Sequence, residues 1–211
     1  MISRRSGSGF LATIALVVWS TVAIAATELE TGGQQFISSL TDRAIQSLTA
    51  KDISRSERVK RFRGLFGEHF AVAVIGEWVL GRNWARTTPA ERTEYLKLFE
   101  DWIVVAYVDR FAEYAGETLA ITRSQEVDKT NVAVSSELVR PTGGPPVRIE
   151  WRVGKGAQGY KITDVVVEGV SMSVNMRSQF ASVIQQNGGQ IAALLRVMGD
   201  KTEALRKELG E

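Results

Sequence analysis

The stretch TPAERTEYLKLFEDWIVVAYVDRFAEY, Thr88 to Tyr114, determines how the rest of the chain has to be arranged. Thr88 is a favourable N-cap, Pro89 suits the first helical position, and Glu91 completes a capping box. Glycine commonly follows the last turn of a helix, and Gly116 stands just beyond the stretch. The sequence therefore predicts one long helix that begins at Pro89 and ends before Gly116.

The apolar face of this helix changes sides along its length. At about 100° per residue, Tyr95 and Phe99 lie opposite a charged side in the first half, whereas Val104 and Val108 continue the line of those charges in the second. Residues 102–108 are apolar all round. Such a helix must be covered on more than one side or border an apolar space. We therefore predict a central core helix; the sharper alternative is a helix that also lines a cavity for an apolar ligand.

The charge balance argues against a nucleic-acid partner. The 211-residue chain has 26 basic and 24 acidic residues, for a formal charge of +2. Two of the basic residues, Arg4 and Arg5, lie in a segment that we expect to be removed, which leaves a nearly neutral protein. The sequence has neither a strong excess of positive charge nor a basic stripe, and nucleic-acid binding depends on such features.

Residues 1–25 have the layout of an export signal. Two arginines precede the apolar segment Phe10–Trp19, and Ala23-Ile24-Ala25 is a cleavage site of the small-x-small type. The apolar segment is shorter than the roughly 20 residues that span a membrane, so an uncleaved anchor is the less favoured alternative. We predict a signal peptide at 1–25 and a single mature domain at 26–211, exported to the periplasm. With no cysteine, the protein has no disulfide framework.

The order of the periodic segments predicts an α+β protein. Apolar residues recur at helical spacing over about 28–115, and the nearly charge-free helix at 70–80 should be deeply packed or line a pocket. Over about 118–168 the period becomes two, in four strands joined by short turns. Helical spacing returns over about 171–208, and the charged tail at 201–211 is expected to form a frayed or exposed helix. The predicted fold is a four-stranded antiparallel meander with about six or seven helices around it.

Few residues of the chain suit catalysis or metal binding. His69 is the one histidine, and there is no cysteine, so a metal site of the common His/Cys type is not available. Asp164 and Glu168 fall on one face of a predicted strand, where they could act as an acid–base pair or form a salt-bridged surface. We favour the surface, and we predict a protein that is not an enzyme and holds no metal or cofactor.

Five stretches taken together form a family pattern. They are VLGRNW at Val79–Trp84, TTPAERTEYLKLF at Thr87–Phe99, PPVRIEW at Pro145–Trp151, YKITDVVVEGVSM at Tyr160–Met172, and RSQF followed by GG within Arg177–Gly189. Each is a weak indication alone, but their order and spacing agree over nearly all of the mature chain. The chain resembles the MlaC or toluene-tolerance family of periplasmic phospholipid-binding proteins of Gram-negative bacteria. Some members are associated with hopanoids instead, and the sequence leaves that alternative open.

The resemblance implies both a fold and a function. The fold would be a sheet related to the nuclear-transport-factor-2-like type, wrapped by helices around a deep apolar pocket. The function would be to shuttle phospholipid between the outer and inner membranes, with the lipid as cargo and no further cofactor. The implied partners are an inner-membrane ABC transporter with an MCE-domain subunit and an outer-membrane lipoprotein–porin complex.

A lipid pocket should be dry, nearly free of charge and open at one end, because a buried unpaired charge is costly. We expect it between the inner face of the sheet and the two apolar helices, and Val170, at a strand–helix junction, is the strongest single candidate. Plain core packing is the alternative for each candidate. Arg148 and Glu168 are candidate partner-docking charges, with a solvated face as their alternative. The candidate lipid-binding residues are Val79, Trp102, Val105, Ile149, Trp151, Val166, Val170 and Met172.

Two other classes of function stay open at the level of sequence. A small enzyme that uses a pocket of this type would need a carboxylate inside the pocket, and that idea rests on fold analogy alone. A periplasmic tether or scaffold predicts a filled core without a cavity, together with an exposed apolar patch. The interior of the folded protein therefore distinguishes a carrier from a scaffold.

Overall fold

The computed structural model describes residues 26–209, and the predicted signal peptide at 1–25 lies outside this range. This part of the chain contains six α-helices and five strands. Within it, no helix has both the length and the apolar character needed to cross a membrane. The helices are α1 (Glu28–Leu48), α2 (Arg55–His69), α3 (Val72–Leu80), α4 (Pro89–Tyr107), α5 (Met172–Gln186) and α6 (Ile191–Leu209). The strands are β1 (Thr118–Glu126), β2 (Asn131–Val139), β3 (Val147–Gly156), β4 (Gly159–Val167) and β5 (Val170–Ser171).

The sheet is an antiparallel meander in the order β1-β2-β3-β4-β5, which confirms the predicted α+β class. The sequence predicts four strands, and the structure adds a fifth, in which Val170 pairs with Val167 of β4. The turn between them uses left-handed backbone at Glu168, with φ of 49°, and at Gly169, with φ of 80°. A strand of two residues is too short to leave a period in the sequence, which is why β5 was not predicted.

The central helix α4 starts where its capping signals place it but stops earlier than predicted. Thr88 and Glu91 form both bonds of the capping box, and Pro89 is the first helical residue. The helix ends at Tyr107, and Val108–Phe111 continues as a tighter 3-10 turn. The predicted end near Gly116 is therefore wrong. Val108 is fully buried, and the adjacent carboxylate of Asp109 accepts a hydrogen bond from Arg55, so contacts with distant residues hold this turn in place.

Helix α4 is covered on two sides, as its alternating apolar faces predict. One face packs in a core between α3, α5 and α6, and the other packs against α2 and the end of α6. A third core lies between α1 and the inner face of the sheet. The first core includes Tyr95, Phe99, Ile103, Phe180, Leu194 and Met198. The second comprises Val59, Val104, Val108 and Leu205. The third includes Ile37, Val132, Val134, Val153 and Ile162.

Helix α3 begins later, and is less completely buried, than its charge-free sequence predicts. Phe70 is extended rather than helical, and the next residue donates its backbone N–H to Ile162 of β4 at 2.9 Å. Val74 and Trp78 are 62% and 43% exposed, so one face of α3 is solvated. The guanidinium of Arg177 covers part of that face, 4.8 Å from the centre of the Trp78 ring. Absence of charge in this helix therefore does not mean burial on every side.

Helix α6 is continuous from Ile191 to Leu209, so the helix predicted beyond residue 201 is confirmed, but the expectation that it is frayed or exposed is wrong. Thr202 is fully buried and its hydroxyl donates to the Met198 carbonyl at 2.9 Å. Leu205, one turn further on, packs into the core formed with α2 and α4. The charged residues of this segment cover the outer side of a packed helix.

Gly33 lets α1 approach the sheet closely, and we predict that Gly33→Ala destabilises the protein. An ideal Cβ at this position would lie 2.5 Å from Cγ1 of Val132, which is itself buried. We expect the free energy of unfolding to fall by about 1–3 kcal/mol, the usual cost of overpacking. Gly64 in α2 is the matched control, since nothing lies within 4 Å of its ideal Cβ. Gly64→Ala should therefore raise the same free energy by about 0.5–1 kcal/mol. Urea unfolding measures both, and a stabilised Gly33→Ala would contradict the close approach.

Candidate functional site: a divided apolar cavity

Two adjoining cavities open between the sheet and the helices. The larger chamber has a volume of about 570 Å³, and the smaller chamber has a volume of about 290 Å³. Ligand sites in proteins commonly measure about 300–1,000 Å³. A pure scaffold predicts a completely filled interior, and the interior of this protein is not completely filled. Of the residues that the structure describes, six border both chambers: Phe62, Phe66, Phe70, Arg110, Phe111 and Trp151.

The larger chamber lies between α1, α2 and the start of the sheet. The apolar face of α1 supplies Leu40 and Ala44, α2 supplies Leu65, and the strands supply Leu138 and Ile149. Thr41 and Thr49 also border it, but their hydroxyls donate to Ile37 and Ile45 carbonyls of their own helix. The side chains that face this space thus offer apolar surface and few free hydrogen-bonding groups.

The smaller chamber lies between helices α3, α4 and α5 and the last long strand. Ile75 and Ile103 border it from the helical side, and Val165 and Val167 border it from β4. Met176 of α5 closes another side. The lining of this space is more apolar than that of the larger chamber, and different elements of the fold supply much of it.

A row of aromatic rings separates the two chambers. Phe111, Phe62, Phe66 and Phe70 follow one another with ring centroids 5.5, 6.2 and 4.7 Å apart, and we call these four residues the aromatic row. Trp151 faces both chambers as well, and its indole N–H donates to the Ser136 hydroxyl at 2.9 Å. Because its one polar atom is paired, the Trp151 ring presents only apolar surface to the cavity.

Charged side chains gather at one end of the larger chamber. Arg110, Glu113, Glu117 and Arg140 border it there, close to where the start of β1 pairs with the end of β2. Glu117 accepts a hydrogen bond from the backbone N–H of Ala115 at 2.8 Å, and this bond, with the nearby charge of Arg140, lowers the pKa of the carboxyl. The carboxylate is therefore ionised at neutral pH. The cavity combines an apolar interior with a charged rim.

Among residues 26–209, Asp164 is the one carboxylate that borders the smaller chamber, and both of its oxygens accept hydrogen bonds. Oδ1 accepts from the backbone and hydroxyl of Ser173 and from the Val165 N–H, and Oδ2 accepts from Ser171 at 2.6 Å and Arg152 at 3.3 Å. Ser171 is also the N-cap of α5. Asp164 therefore ties the end of β4 to the start of α5.

The other titratable candidates lie apart from the cavity. His69 is in contact with the Phe36 ring and lies 3.0 Å from a guanidinium nitrogen of Arg43; burial, the main cause, lowers the pKa of its imidazole. Glu168 pairs with Arg148 at 3.0 Å on an exposed surface, and hydrogen bonds from the Arg148 backbone and side chain lower the pKa of its carboxyl. Asp164 and Glu168 each bind a different arginine, Arg152 and Arg148 respectively. Within residues 26–209 there is no group of three or more His, Cys, Asp or Glu that could hold a metal ion.

Comparison with known proteins decides the family. The sequence model of the MlaC protein family matches residues 38–200, more than half of the chain. The chain belongs to the MlaC family. A curated relative, the intermembrane phospholipid transport system binding protein MlaC of Haemophilus influenzae, is 23% identical over 116 residues. That match covers 54% of this chain and 54% of the relative, so it spans about half of the relative's length.

The fold of this MlaC family member is shared with a solved structure. The phospholipid-binding protein from Ralstonia solanacearum, solved in complex with a phospholipid, matches with a TM-score of 0.73. The match covers 82% of this chain and 97% of the other, at 21% sequence identity. At this identity the likeness establishes the fold alone.

The eight predicted lipid-binding residues of the MlaC family member fall into three groups. Ile149, Trp151 and Met172 border the cavity. Val79 is buried in the helical core. Val166 is also buried and does not border the smaller chamber, whereas its neighbours Val165 and Val167 do. The other three, Trp102, Val105 and Val170, border neither chamber.

Two of those three residues line a separate cleft, and the third is on the surface. Trp102 and Val105 border a cleft of about 280 Å³, together with Met172 and Lys201. Val170, the strongest candidate from sequence, is 53% exposed and borders no chamber. The assignment of Val170 to a pocket mouth is not supported by its position. The docking roles of Arg148 and Glu168 stay predictions.

Sequence reasoning missed most of the wall that α1 and α2 contribute. Leu40, Ala44, Leu65, Phe66 and Phe70 border the larger chamber. All five are apolar, and those in α1 and α2 lie at helical spacing, so the signal for an inward face was present in the sequence. That signal does not tell whether an inward face meets another side chain or an open space, because both need the same residue types. The aromatic row in particular forms only when α2 and the turn after α4 meet.

Proposed function

We propose that this protein is a periplasmic carrier that holds the acyl chains of a phospholipid in the divided cavity and moves the lipid between the outer and inner membranes. The observation that carries the proposal is the cavity itself, which is apolar inside and charged at the rim. Membership of the MlaC family supports it, as does the shared fold with a protein solved in complex with a phospholipid.

The cavity has the properties that a soluble lipid carrier needs to shield acyl chains from water. Each buried methylene is worth about 0.8 kcal/mol, so a two-chain lipid with roughly thirty methylenes loses on the order of 20 kcal/mol if its tails meet water. A soluble carrier must replace the membrane interior with protein surface of similar apolarity. The head group must stay outside, because burying its charge without a partner is costly. An apolar interior with charges at one end supports both requirements.

The remaining parts of the proposal concern place and partners. The layout of residues 1–25 supports export to the periplasm, and 26–211 would be the mature single domain. The partners proposed from the family resemblance are an inner-membrane ABC transporter with an MCE-domain subunit and an outer-membrane lipoprotein–porin complex. Arg148 and Glu168 form an exposed ion pair that such a partner could contact.

A carrier accounts for the cavity better than an enzyme does. An enzyme of this shape needs a carboxylate free to exchange a proton inside the pocket. Asp164 borders the smaller chamber, but both of its oxygens accept hydrogen bonds from serine and arginine donors. The alternative within the same family is a carrier whose cargo is a hopanoid. Identification of the bound lipid by mass spectrometry distinguishes the two cargoes.

The test is to identify what the protein carries. We expect the protein, exported and purified without lipid-extracting detergent, to release phospholipid when it is extracted with organic solvent. Mass spectrometry identifies the lipid and gives its ratio to protein. Because the tails lose so much on exposure to water, we expect close to one lipid per protein rather than a trace. Protein that carries no lipid, or only hopanoid, would contradict the proposal.

A further inference from the structure

The cavity is divided along its length rather than being one open space. Phe66 is 5% exposed and contacts Phe62 on one side and Phe70 on the other, with ring centroids 6.2 and 4.7 Å away. Each of these rings borders both chambers. These rings therefore line the boundary at which the two chambers meet. A single rigid body of fused rings could not fill both spaces at once.

In the described part of the chain, one cationic side chain borders both chambers. Arg110 is exposed and contributes to the lining of each. Its neighbour Asp109 is already paired with Arg55 at 2.8 Å, so that carboxylate does not neutralise it. Within residues 26–209, the Arg110 guanidinium takes part in no hydrogen bond or ion pair. It therefore presents a free fork of N–H donors at the place where the two chambers meet, and that geometry suits a phosphate.

We propose, on the basis of the function proposed above, that each chamber takes one acyl chain of a two-chain phospholipid and that Arg110 binds its phosphate. The glycerol backbone then lies over the aromatic row, where the two chains part. The larger chamber has roughly twice the volume of the smaller one, so the two chains meet different amounts of space. The site selects lipids that have two separate chains and a phosphate, and it disfavours fused-ring lipids.

Labelling of the wild-type protein tests the division directly. The protein is loaded with phosphatidylethanolamine that carries a diazirine at the end of either acyl chain, and the crosslinked peptides are mapped after irradiation. We expect crosslinks both to α1, which borders the larger chamber, and to the first turns of α5, which border the smaller one. Crosslinks to α1 alone would mean that both chains share the larger chamber, and would overturn the proposal.

A pair of valine substitutions tests the smaller chamber. Val167 borders it, whereas its register partner Val170 is exposed and borders neither chamber. We expect Val167→Trp to carry at least about fivefold less two-chain lipid than Val170→Trp, the size of effect that overfilling a packed space produces. Lysophospholipid binding should persist in Val167→Trp, because one chain needs only the larger chamber. Equal amounts of two-chain lipid in both variants would overturn the division.

A pair of arginine substitutions tests the phosphate contact. We expect Arg110→Gln to retain lipid roughly three- to tenfold more weakly in competition with vesicles, as for the loss of one charge-assisted contact. Arg140→Gln removes the same charge beside the larger chamber alone and should have a clearly smaller effect. Equal losses would mean a general effect of charge and would overturn the assignment. Wild-type protein without lipid would instead refute the carrier function itself, so the two failures are distinguishable.

Discussion

Ile149→Glu is expected to empty the larger chamber, with at least about a hundredfold loss of lipid retention, because an isolated buried carboxylate costs several kcal/mol. Ile149 is half-buried in β3 and borders the larger chamber. In the empty protein, water can reach the new carboxylate, so the fold should persist. In the loaded protein, acyl chains would exclude that water and leave the charge without a partner. Lipid extraction and mass spectrometry, with circular dichroism as the check on folding, measure the result.

Two control variants show that the effect belongs to a charge in the chamber. Val170→Glu places the same charge on an exposed residue outside both chambers and should leave the lipid content close to that of the wild type. Ile149→Leu conserves volume and apolarity, which proteins usually tolerate, and should also keep the lipid. A folded Ile149→Glu variant with a full complement of lipid would mean that the tails do not occupy the larger chamber.

Asp164→Ala is expected to lower the free energy of unfolding by about 3 kcal/mol or more, since hydrogen bonds to a charged group contribute about 1.5–3 kcal/mol each. The substitution leaves the buried backbone N–H and hydroxyl of Ser173 without their acceptor and frees the N-cap Ser171 from β4. For a chain of this length, the melting temperature should fall by roughly 6–12 °C. Thermal and urea unfolding followed by circular dichroism measure the change.

This result also separates the structural role of Asp164 from a catalytic one. A carboxylate kept for proton transfer would not be expected to stabilise the fold, so an unchanged melting temperature in Asp164→Ala would reopen the enzyme alternative. Asp164→Asn places one amide oxygen and one amide nitrogen where the two carboxylate oxygens were. Because the amide oxygen can still accept hydrogen bonds, this variant should lose less stability than the alanine variant. Glu168→Ala is the control, because Glu168 is exposed and its ion pair with Arg148 lies in water, where such pairs contribute little.

The order of the elements could be predicted because local signals set it. The capping box at Thr88 places the start of α4, and the change of period after Gly116 places the start of the sheet. The end of α4 could not be placed from these signals, because the turn at residues 108–111 depends on burial of Val108 by distant partners. The exposure expected beyond residue 201 is wrong for a similar reason. Two positions, Thr202 and Leu205, suffice to dock a segment in which most of the other residues are charged.

The candidate site was predicted less well than the fold. Ile149 and Trp151 alternate with charged residues, so their side of β3 could be read, and both border the cavity. In β4 three valines run together, and the sequence offers no polar residue that tells which of them face inward. Val166 was chosen, but the structure turns Val165 and Val167 toward the smaller chamber. Where polar and apolar residues do not alternate, the register with the neighbouring strand decides which residues of a strand face inward.

Taken by itself, the sequence determined the class, the order of helices and strands, the family pattern and the surplus of apolar faces. Apart from the family pattern, which is a resemblance, these properties follow from local periodicity and capping, which act over a few residues. Only the tertiary structure decided that these apolar side chains enclose two chambers. It also decided that the aromatic row, from α2 and the turn after α4, lies between the chambers, and that Arg110 borders both. A filled core and a cavity are built from the same side chains, and the distance at which helices and sheet come to rest decides between them.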